Sequence, residues 1–189
     1  MSVDQLRTAL FAATGFTWVA QRNVSDPDAP SGRTRLPDAD MLEALAATLG
    51  RPDYVTTTRE GIDPAVTFAK LASDAARSAC RTSLNADLAM PEARKGERRI
   101  IHRVEPRDTL ASNAPGVRNN LAYLALRFWG RRVEPNDPQL QPLSDLFARA
   151  STAPASKDAD GTERSAATPA DGWRAVCIAM ATDPQFLTY

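Results

Sequence analysis

The sequence predicts an all-α protein, an irregular orthogonal bundle of about six helices with long loops and little or no β-structure. Six stretches repeat apolar residues at three- and four-residue steps, the spacing that places side chains on one helical face. Capping residues and prolines frame most of these stretches. A chain of 189 residues suits a single helical domain, 1–189, that buries roughly 70% of its unfolded surface.

The six predicted helices span 2–14, 38–49, 64–89, 114–129, 138–151 and 169–182. In the first helix, Ser2 and Gln5 form a capping-box pattern, and Gly15 follows where a terminal glycine is expected. We expect Asp38 at the start of the second helix and Asp63, followed by a proline, at the start of the third.

The third helix is predicted to be central because small side chains let a neighbouring helix approach closely. Its apolar stripe consists of Ala69, Ala72, Ala76, Cys80, Leu84 and Leu88. The fourth helix is expected to start near Asn113 or Pro115 and to end at Gly130. Its core stripe is predicted to be Val117, Leu121, Leu124 and Phe128.

The connecting segments are predicted from their polar and proline-rich composition. Residues 16–20 alternate weakly and suit a short extended segment, whereas 21–37 and 151–167 are predicted loops. After the last helix, Asp183 and Pro184 restart the chain as a final turn. That turn is expected to direct Phe186 and Leu187 at the core, so that the C-terminal block packs on the alanine face of 69–84.

The overall charge gives no reason to expect nucleic acid or an anionic membrane as a partner, because 23 basic residues balance 23 acidic ones. No run of 18 apolar residues is present, so no membrane span is predicted. The first ten residues lack the pattern of a signal peptide. Either the protein is cytoplasmic, or this sequence is the mature or excised part of an exported protein.

The candidate chemistry is sparse, and neither a catalytic residue nor a metal or cofactor site is predicted. His102 is the sole histidine and has no cysteine or second histidine to complete a metal site. It lies in the locally basic segment 91–112, which holds a candidate anion or partner contact: Arg94, Arg98, Arg99, His102 and Arg103. Because this segment lacks interleaved aromatics, a solvated face is favoured over a nucleic-acid site.

The two cysteines, Cys80 and Cys177, both fall on predicted apolar helix faces. One interpretation is a pair of buried free thiols that pack as small hydrophobes. The other is a disulfide that clamps the last helix to the third, closing a loop of about 100 residues worth up to about 4–5 kcal/mol in the chain-entropy model. Export favours the bridge, and a cytosolic location disfavours it.

Four motifs in the second half of the chain carry a family resemblance. They are Ala75-Ala76-x-x-x-Cys80, Leu121-x-x-Leu124-x-x-Arg127-Phe128-x-Gly130-Arg131-Arg132-Val133, Leu143-x-x-Leu146-Phe147 and Trp173-x-x-Val176-Cys177 followed by Thr182-Asp183-Pro184-Gln185-Phe186-Leu187. Their order over roughly 64–189 resembles uncharacterised helical modules in exported proteins of planctomycetes and myxobacteria, often encoded with c-type cytochrome domains. Val133 replaces the usual proline after the two arginines, and Asp183 replaces the usual serine.

Three functions are compatible with these features. The resemblance implies a non-catalytic structural or interaction module of an exported, cytochrome-associated system, with a protein partner that contains a cytochrome. The second hypothesis is an enzyme or enzyme subunit whose site lies in 21–37 and 91–112, around Arg98, Arg99 and His102. The third is a cytosolic scaffold subunit that buries its apolar tail in an oligomer.

Overall fold

The architecture is mainly helical, as predicted. The computed structural model describes residues 2–25, 33–45, 66–157 and 163–187. The helices are α1 (Val3–Thr14), α2 (Met41–Ala44), α3 (Val66–Ala89), α4 (Leu110–Trp129), α5 (Gln141–Ser151), α6 (Pro169–Thr182) and α7 (Pro184–Leu187), with single 3-10 segments at Glu92–Glu97 and Pro138–Leu140. The strands are β1 (Val19–Ser25), β2 (Arg33–Asp40), β3 (Ser156–Lys157) and β4 (Glu163–Arg164).

Helix α1 begins and ends at the residues that its sequence predicts. The Ser2 hydroxyl accepts the backbone N–H of Gln5 at 3.2 Å, and the Gln5 side chain accepts the backbone N–H of Ser2 at 2.7 Å. Gly15 closes the helix with a φ of 82°, which glycine adopts without the strain of a Cβ.

The predicted loop 21–37 is wrong where the structure describes it, because β1 and β2 form an antiparallel hairpin. The register runs from Val19 opposite Asp40 to Ser25 opposite Arg33, with an irregularity after Ala20. The expected extended segment at 16–20 therefore reaches the first two residues of β1. The alternation of apolar and polar residues that marks a strand is weak here, since both strands are largely polar. Residues 26–32 lie outside the described part of the chain.

The second predicted helix, 38–49, starts later than expected. Residues 38–40 still belong to strand β2, and Asp40 rather than Asp38 caps α2. One carboxylate oxygen of Asp40 accepts the backbone N–H groups of Leu42 and Glu43, at 3.0 and 3.3 Å. Residues 46–49 lie outside the described part of the chain.

Helix α3 packs on α1, α2 and α6, and the two ends of its expected stripe are exposed. Ala72, Ala76, Cys80 and Leu84 are buried, together with Ala75 and Ala79. Ala69 is exposed, and Leu88 is 40% exposed. Four-residue steps advance a helix by more than one turn, so a stripe built on them drifts by about 40° per step away from the core. The predicted start at Asp63 and Pro64 lies outside the described residues.

Helix α4 starts one turn earlier than predicted. Thr109 and Ser112 cap the added turn, and the helix is interrupted at Asn113, which has φ −151° and ψ 62°. The regular part follows, with the Asn113 side chain accepting the N–H of Gly116 at 3.0 Å. The four residues of the predicted core stripe are all buried, and Gly130 ends the helix at φ 64° as expected.

Helices α5 and α6 pack closely on each other. A Cβ on Gly172 of α6 would lie 2.9 Å from the carbonyl oxygen of Phe147 in α5, so the contact requires glycine. The fifth helix is preceded by a 3-10 segment capped by Asp137, and α6 keeps its predicted bounds. The predicted loop 151–167 contains a short ladder that pairs β3 with β4. Residues 158–162 lie outside the described part.

The C-terminal block is buried, as expected. Trp173, Val176, Cys177 and Met180 are fully covered, and α6 packs on α3. The final turn departs from the prediction in one respect, because α7 packs on α4 instead of on the alanine face. Phe186, 4% exposed, lies with its ring centre 5.7 Å from that of Phe128.

Candidate interaction surface

A disulfide joins α3 to α6. The sulfur atoms of Cys80 and Cys177 are 2.02 Å apart, their Cα atoms are 5.8 Å apart, and both residues are fully buried. The bridge confirms the disulfide hypothesis over that of two free thiols. It fixes the distance between the two helices at these residues.

The basic segment is held against the bundle by two polar side chains that the sequence reading did not single out. The buried carboxylate of Asp87, in α3, accepts the backbone N–H groups of Arg99, Ile100 and Ile101 at 2.6 to 3.1 Å. Asn120, in α4, accepts the N–H of Arg103 at 2.9 Å and donates to the carbonyl of Ile100 at 2.8 Å. The sequence signal for Asp87 was a charged residue beside the apolar stripe of the third helix.

Two of the four arginines of the predicted anion contact, Arg94 and Arg98, are paired with glutamates of the same segment. Arg94 bonds Glu97, and Lys95 lies 2.6 Å from Glu92 and 3.2 Å from Glu105. Hydrogen bonding to Lys95 lowers the pKa of Glu92, and the two glutamates raise the pKa of Lys95. The glutamates therefore offset part of the local positive charge.

Arg98 differs from its neighbours because its side chain is only 5% exposed. Its guanidinium lies 3.3 Å from Glu105 and 3.7 Å from Glu92. Within the described residues its Nε has no hydrogen-bond partner. The buried head group is thus already committed to two carboxylates and is not open to an external anion.

His102 is likewise engaged in structural contacts. Its Nδ1 lies 3.0 Å from the carbonyl oxygen of Arg98, and its ring stacks on Tyr123 with the ring centres 4.5 Å apart. In the described ranges, no group of three or more histidine, cysteine or acidic side chains is arranged to hold a metal ion. The structure therefore brings the predicted site residues into one segment but gives His102 no carboxylate partner there.

An open groove of about 1110 Å³ runs along the seam between α3 and α6, and we call it the α3–α6 groove. The start of β1 forms one border. Its lining includes Trp18, Val19, Arg77, Arg81, Arg174 and Ile178. Arg77 and Arg81 are exposed and lie one helical turn apart on the same side of α3.

The acidic residues of the groove are already engaged. Asp171 accepts the backbone N–H and the hydroxyl of Thr168, both at 2.8 Å, and pairs with Arg174. Partial burial disfavours its charged form, but these contacts together outweigh burial and hold the pKa of Asp171 below its ordinary value. Asp74 pairs with Lys70 at 3.0 Å.

Two cations of the groove are left without such compensation. Among the residues that the structure describes, neither Arg77 nor Arg81 has a hydrogen-bond or ion-pair partner. Two like charges one turn apart on a helix repel each other, at a cost of about 0.2–0.5 kcal/mol. The sequence signal for this pair was that spacing alone.

Two of the four sequence motifs, the one around Arg127–Val133 and the one that ends at Leu187, meet in space. Arg131, just after α4, donates to the side chain of Gln185 at 3.1 Å. Arg127 donates to the carbonyl of Ala12 at 3.1 Å and so satisfies an acceptor at the end of α1. With the contact between Phe128 and Phe186, these bonds give both motifs a structural role in closing α1, α4 and α7.

Comparison of the chain with protein-family models, with curated proteins and with solved structures gave no match. Of the helices in the described ranges, none combines the length and the apolar character needed to cross a membrane.

Proposed function

We propose that the protein is a non-catalytic helical interaction module of an exported, cytochrome-associated bacterial system, and that the α3–α6 groove is its contact surface. The observation that carries the proposal is a buried disulfide that joins the two helices bordering an open groove with two uncompensated arginines. Disulfides persist in oxidising compartments and are rare in the cytosol. The cytochrome association rests on the resemblance of the motifs between 64 and 189.

The polar groups of the groove favour binding over catalysis. Arginine remains charged and is a poor proton carrier, so Arg77 and Arg81 suit recognition of an anionic group. The two aspartates bordering the groove are bonded to neighbours. A general base would instead require a free titratable group within reach of a substrate.

The two alternative functions gain less support. For an enzyme site around Arg98, Arg99 and His102, the imidazole stacks on Tyr123 and the Arg98 head group is paired with glutamates. For a cytosolic scaffold, the reason to oligomerise was the apolar tail. Phe186 is already covered by the chain's own core, so burial of this side chain needs no second copy.

Site-specific photo-cross-linking in the native cell tests the proposed contact surface. A photoreactive amino acid replaces Val19 in the groove, and the matched control replaces Leu126 on α4, since the two side chains are 47% and 48% exposed. We expect a cytochrome-containing protein of the same compartment to be captured from position 19 and not from position 126. Equal capture from both positions, or capture from position 126 alone, would contradict the proposal.

The compartment is tested separately by the redox state of the cysteines. Cells are quenched in acid, denatured and treated with a thiol-reactive label before reduction. We expect no labelling of Cys80 or Cys177 in the native host. Labelling of both residues in most molecules would show a reducing compartment and remove the support for export.

A further inference from the structure

We infer that the α3–α6 groove binds an extended acidic peptide segment of a protein partner, in which two carboxylates two residues apart pair with Arg77 and Arg81. This inference rests on the proposed interaction function and names the chemistry of the partner. It begins from the two arginines, which lie in a groove and have no partner in the described part of the chain.

The chemistry of the arginines selects the ligand charge. A guanidinium presents its N–H donors in a planar fork that matches a carboxylate, so each arginine offers a bidentate contact to one acidic side chain. An anion between Arg77 and Arg81 also removes the repulsion between them. The groove therefore gains from a ligand with two negative charges.

The spacing of the arginines selects an extended chain. Residues one helical turn apart have Cβ atoms about 5–6 Å from each other. In an extended peptide, side chains two residues apart point the same way and lie about 6.5 Å apart. An acidic-x-acidic sequence therefore presents its carboxylates at nearly the spacing of Arg77 and Arg81.

The shape of the groove favours a peptide over a small anion. It is open along the two helices, and its volume of about 1110 Å³ is near the upper end of the range of about 300–1,000 Å³ for small-molecule sites, which leaves room for a peptide segment. Trp18 and Ile178, both partly buried against the core, add apolar surface to its lining. This apolar surface suits the uncharged side chains of a peptide.

The disulfide sets the geometry of this groove. Cys80 lies between Arg77 and Arg81 in sequence, and Cys177 lies between Arg174 and Ile178. The bridge holds the two Cα atoms at 5.8 Å and thereby fixes the two walls of the groove. A preorganised groove loses less conformational freedom on binding than a mobile one. Reduction should therefore weaken binding, although no ligand contact is removed.

A binding titration with synthetic peptides tests the inference on the whole chain. The probe is a capped eight-residue peptide with glutamates at positions 3 and 5, and the control peptide carries glutamines there. We expect the glutamate peptide to bind at least tenfold more tightly at low salt, and this preference to shrink in 0.5 M NaCl as screening increases. A third peptide with adjacent glutamates is expected to bind more weakly than the probe.

The protein variants separate the groove from general charge. R77Q/R81Q should lower the affinity for the probe about tenfold, because two exposed ion pairs are lost. R107Q/R149Q removes two exposed arginines outside the groove and should leave the affinity within twofold. Circular dichroism verifies that both variants are folded, and the glutamine peptide gives a comparison that does not depend on the variants.

Three results would overturn the inference. The first is equal binding of the glutamate and glutamine peptides, and the second is an equal loss of affinity for the probe in both double variants. The third is displacement of the bound probe by inorganic phosphate at the concentration at which an excess of the glutamate peptide itself displaces it. If cross-linking from position 19 succeeds while the peptides do not discriminate, the groove is a contact surface but its partner is not acidic. If position 19 captures nothing while the probe binds as expected, the interaction function fails and the acidic site stands.

Discussion

Loss of the Cys80–Cys177 bridge is expected to destabilise the protein strongly. The two residues are separated by 97 positions, so the bond closes a loop of about 100 residues. In the chain-entropy model, such a loop constrains the unfolded chain enough to stabilise the fold by about 4.7 kcal/mol. That is a large share of a typical domain stability of about 5–15 kcal/mol. At about 2–4 °C per kcal/mol for a domain of this size, the midpoint of thermal unfolding should fall by roughly 9–19 °C.

Urea unfolding of a double-mutant cycle isolates the contribution of the bond from that of the side chains. C80A and C177A each remove the bridge, so each should cost the full amount plus the loss of one buried sulfur. The double variant should cost little more than either single variant, which gives a coupling free energy of about 4–5 kcal/mol. A coupling below about 1 kcal/mol would refute the reasoning, because it would mean that the closed loop does not constrain the unfolded chain.

Four further changes have expected outcomes, each measured by urea unfolding. F186A should cost about 3–5 kcal/mol because the ring is buried against Phe128; a loss well below 1 kcal/mol would mean that the tail does not close the core. D87A should cost about 3–5 kcal/mol, since it leaves three backbone N–H groups of the basic segment without their acceptor; a cost near zero would mean that water replaces the carboxylate. G172A should cost about 1–3 kcal/mol, because its Cβ would crowd α5, whereas the equivalent change at Gly96, where a Cβ meets nothing within 4 Å, should be nearly neutral. D171N should cost about 1 kcal/mol at pH 7, because the cap of α6 is lost. Since the pKa of Asp171 is lowered in the folded state, its contribution to stability is present above the unfolded pKa and disappears as the pH falls through the folded pKa. The unfolding free energies of the variant and the parent should therefore converge in acid, and a constant difference down to pH 2 would contradict the assignment.

The helices were predictable because each one buries a single face. The stripe of Val117, Leu121, Leu124 and Phe128 repeats at steps of 4, 3 and 4, and these steps keep all four side chains on the core side. The capping residues predicted the ends of α1 and α6 equally well. Where a stripe used only four-residue steps, as towards Leu88, the helix turned its last member into solvent.

The hairpin was not predictable in the same way because neither strand has a clear apolar face. Residues 33–40 carry four charged side chains and a proline, a composition typical of loops. Their pairing with β1 depends on backbone hydrogen bonds, which leave little trace in the side-chain pattern. The same polar composition misplaced the start of α2, because Asp38 and Asp40 are equivalent as caps until the strand is known to include residue 38.

The candidate surface was missed for a different reason. Sequence reading located positive charge where it was densest, in the basic segment that includes Arg94, Arg98 and Arg103. Density along the chain does not measure availability, since nearby glutamates pair with Arg94, Lys95 and Arg98 of that segment. Arg77 and Arg81 are fewer but uncompensated in the described ranges, and their groove exists only because α6 packs on α3 nearly a hundred residues later.

The disulfide connects stability, binding and compartment through one bond. It joins the same two helices that border the α3–α6 groove. In a reducing environment the fold would lose about 4–5 kcal/mol and the groove would lose its fixed width together. In an oxidising environment, the stability of the fold and the width of the groove are both retained without any ligand. Binding of the acidic probe and resistance to urea should therefore decline in parallel when the bridge is reduced. A reduced protein that keeps its full affinity would show that packing of α6 on α3 alone sets the groove.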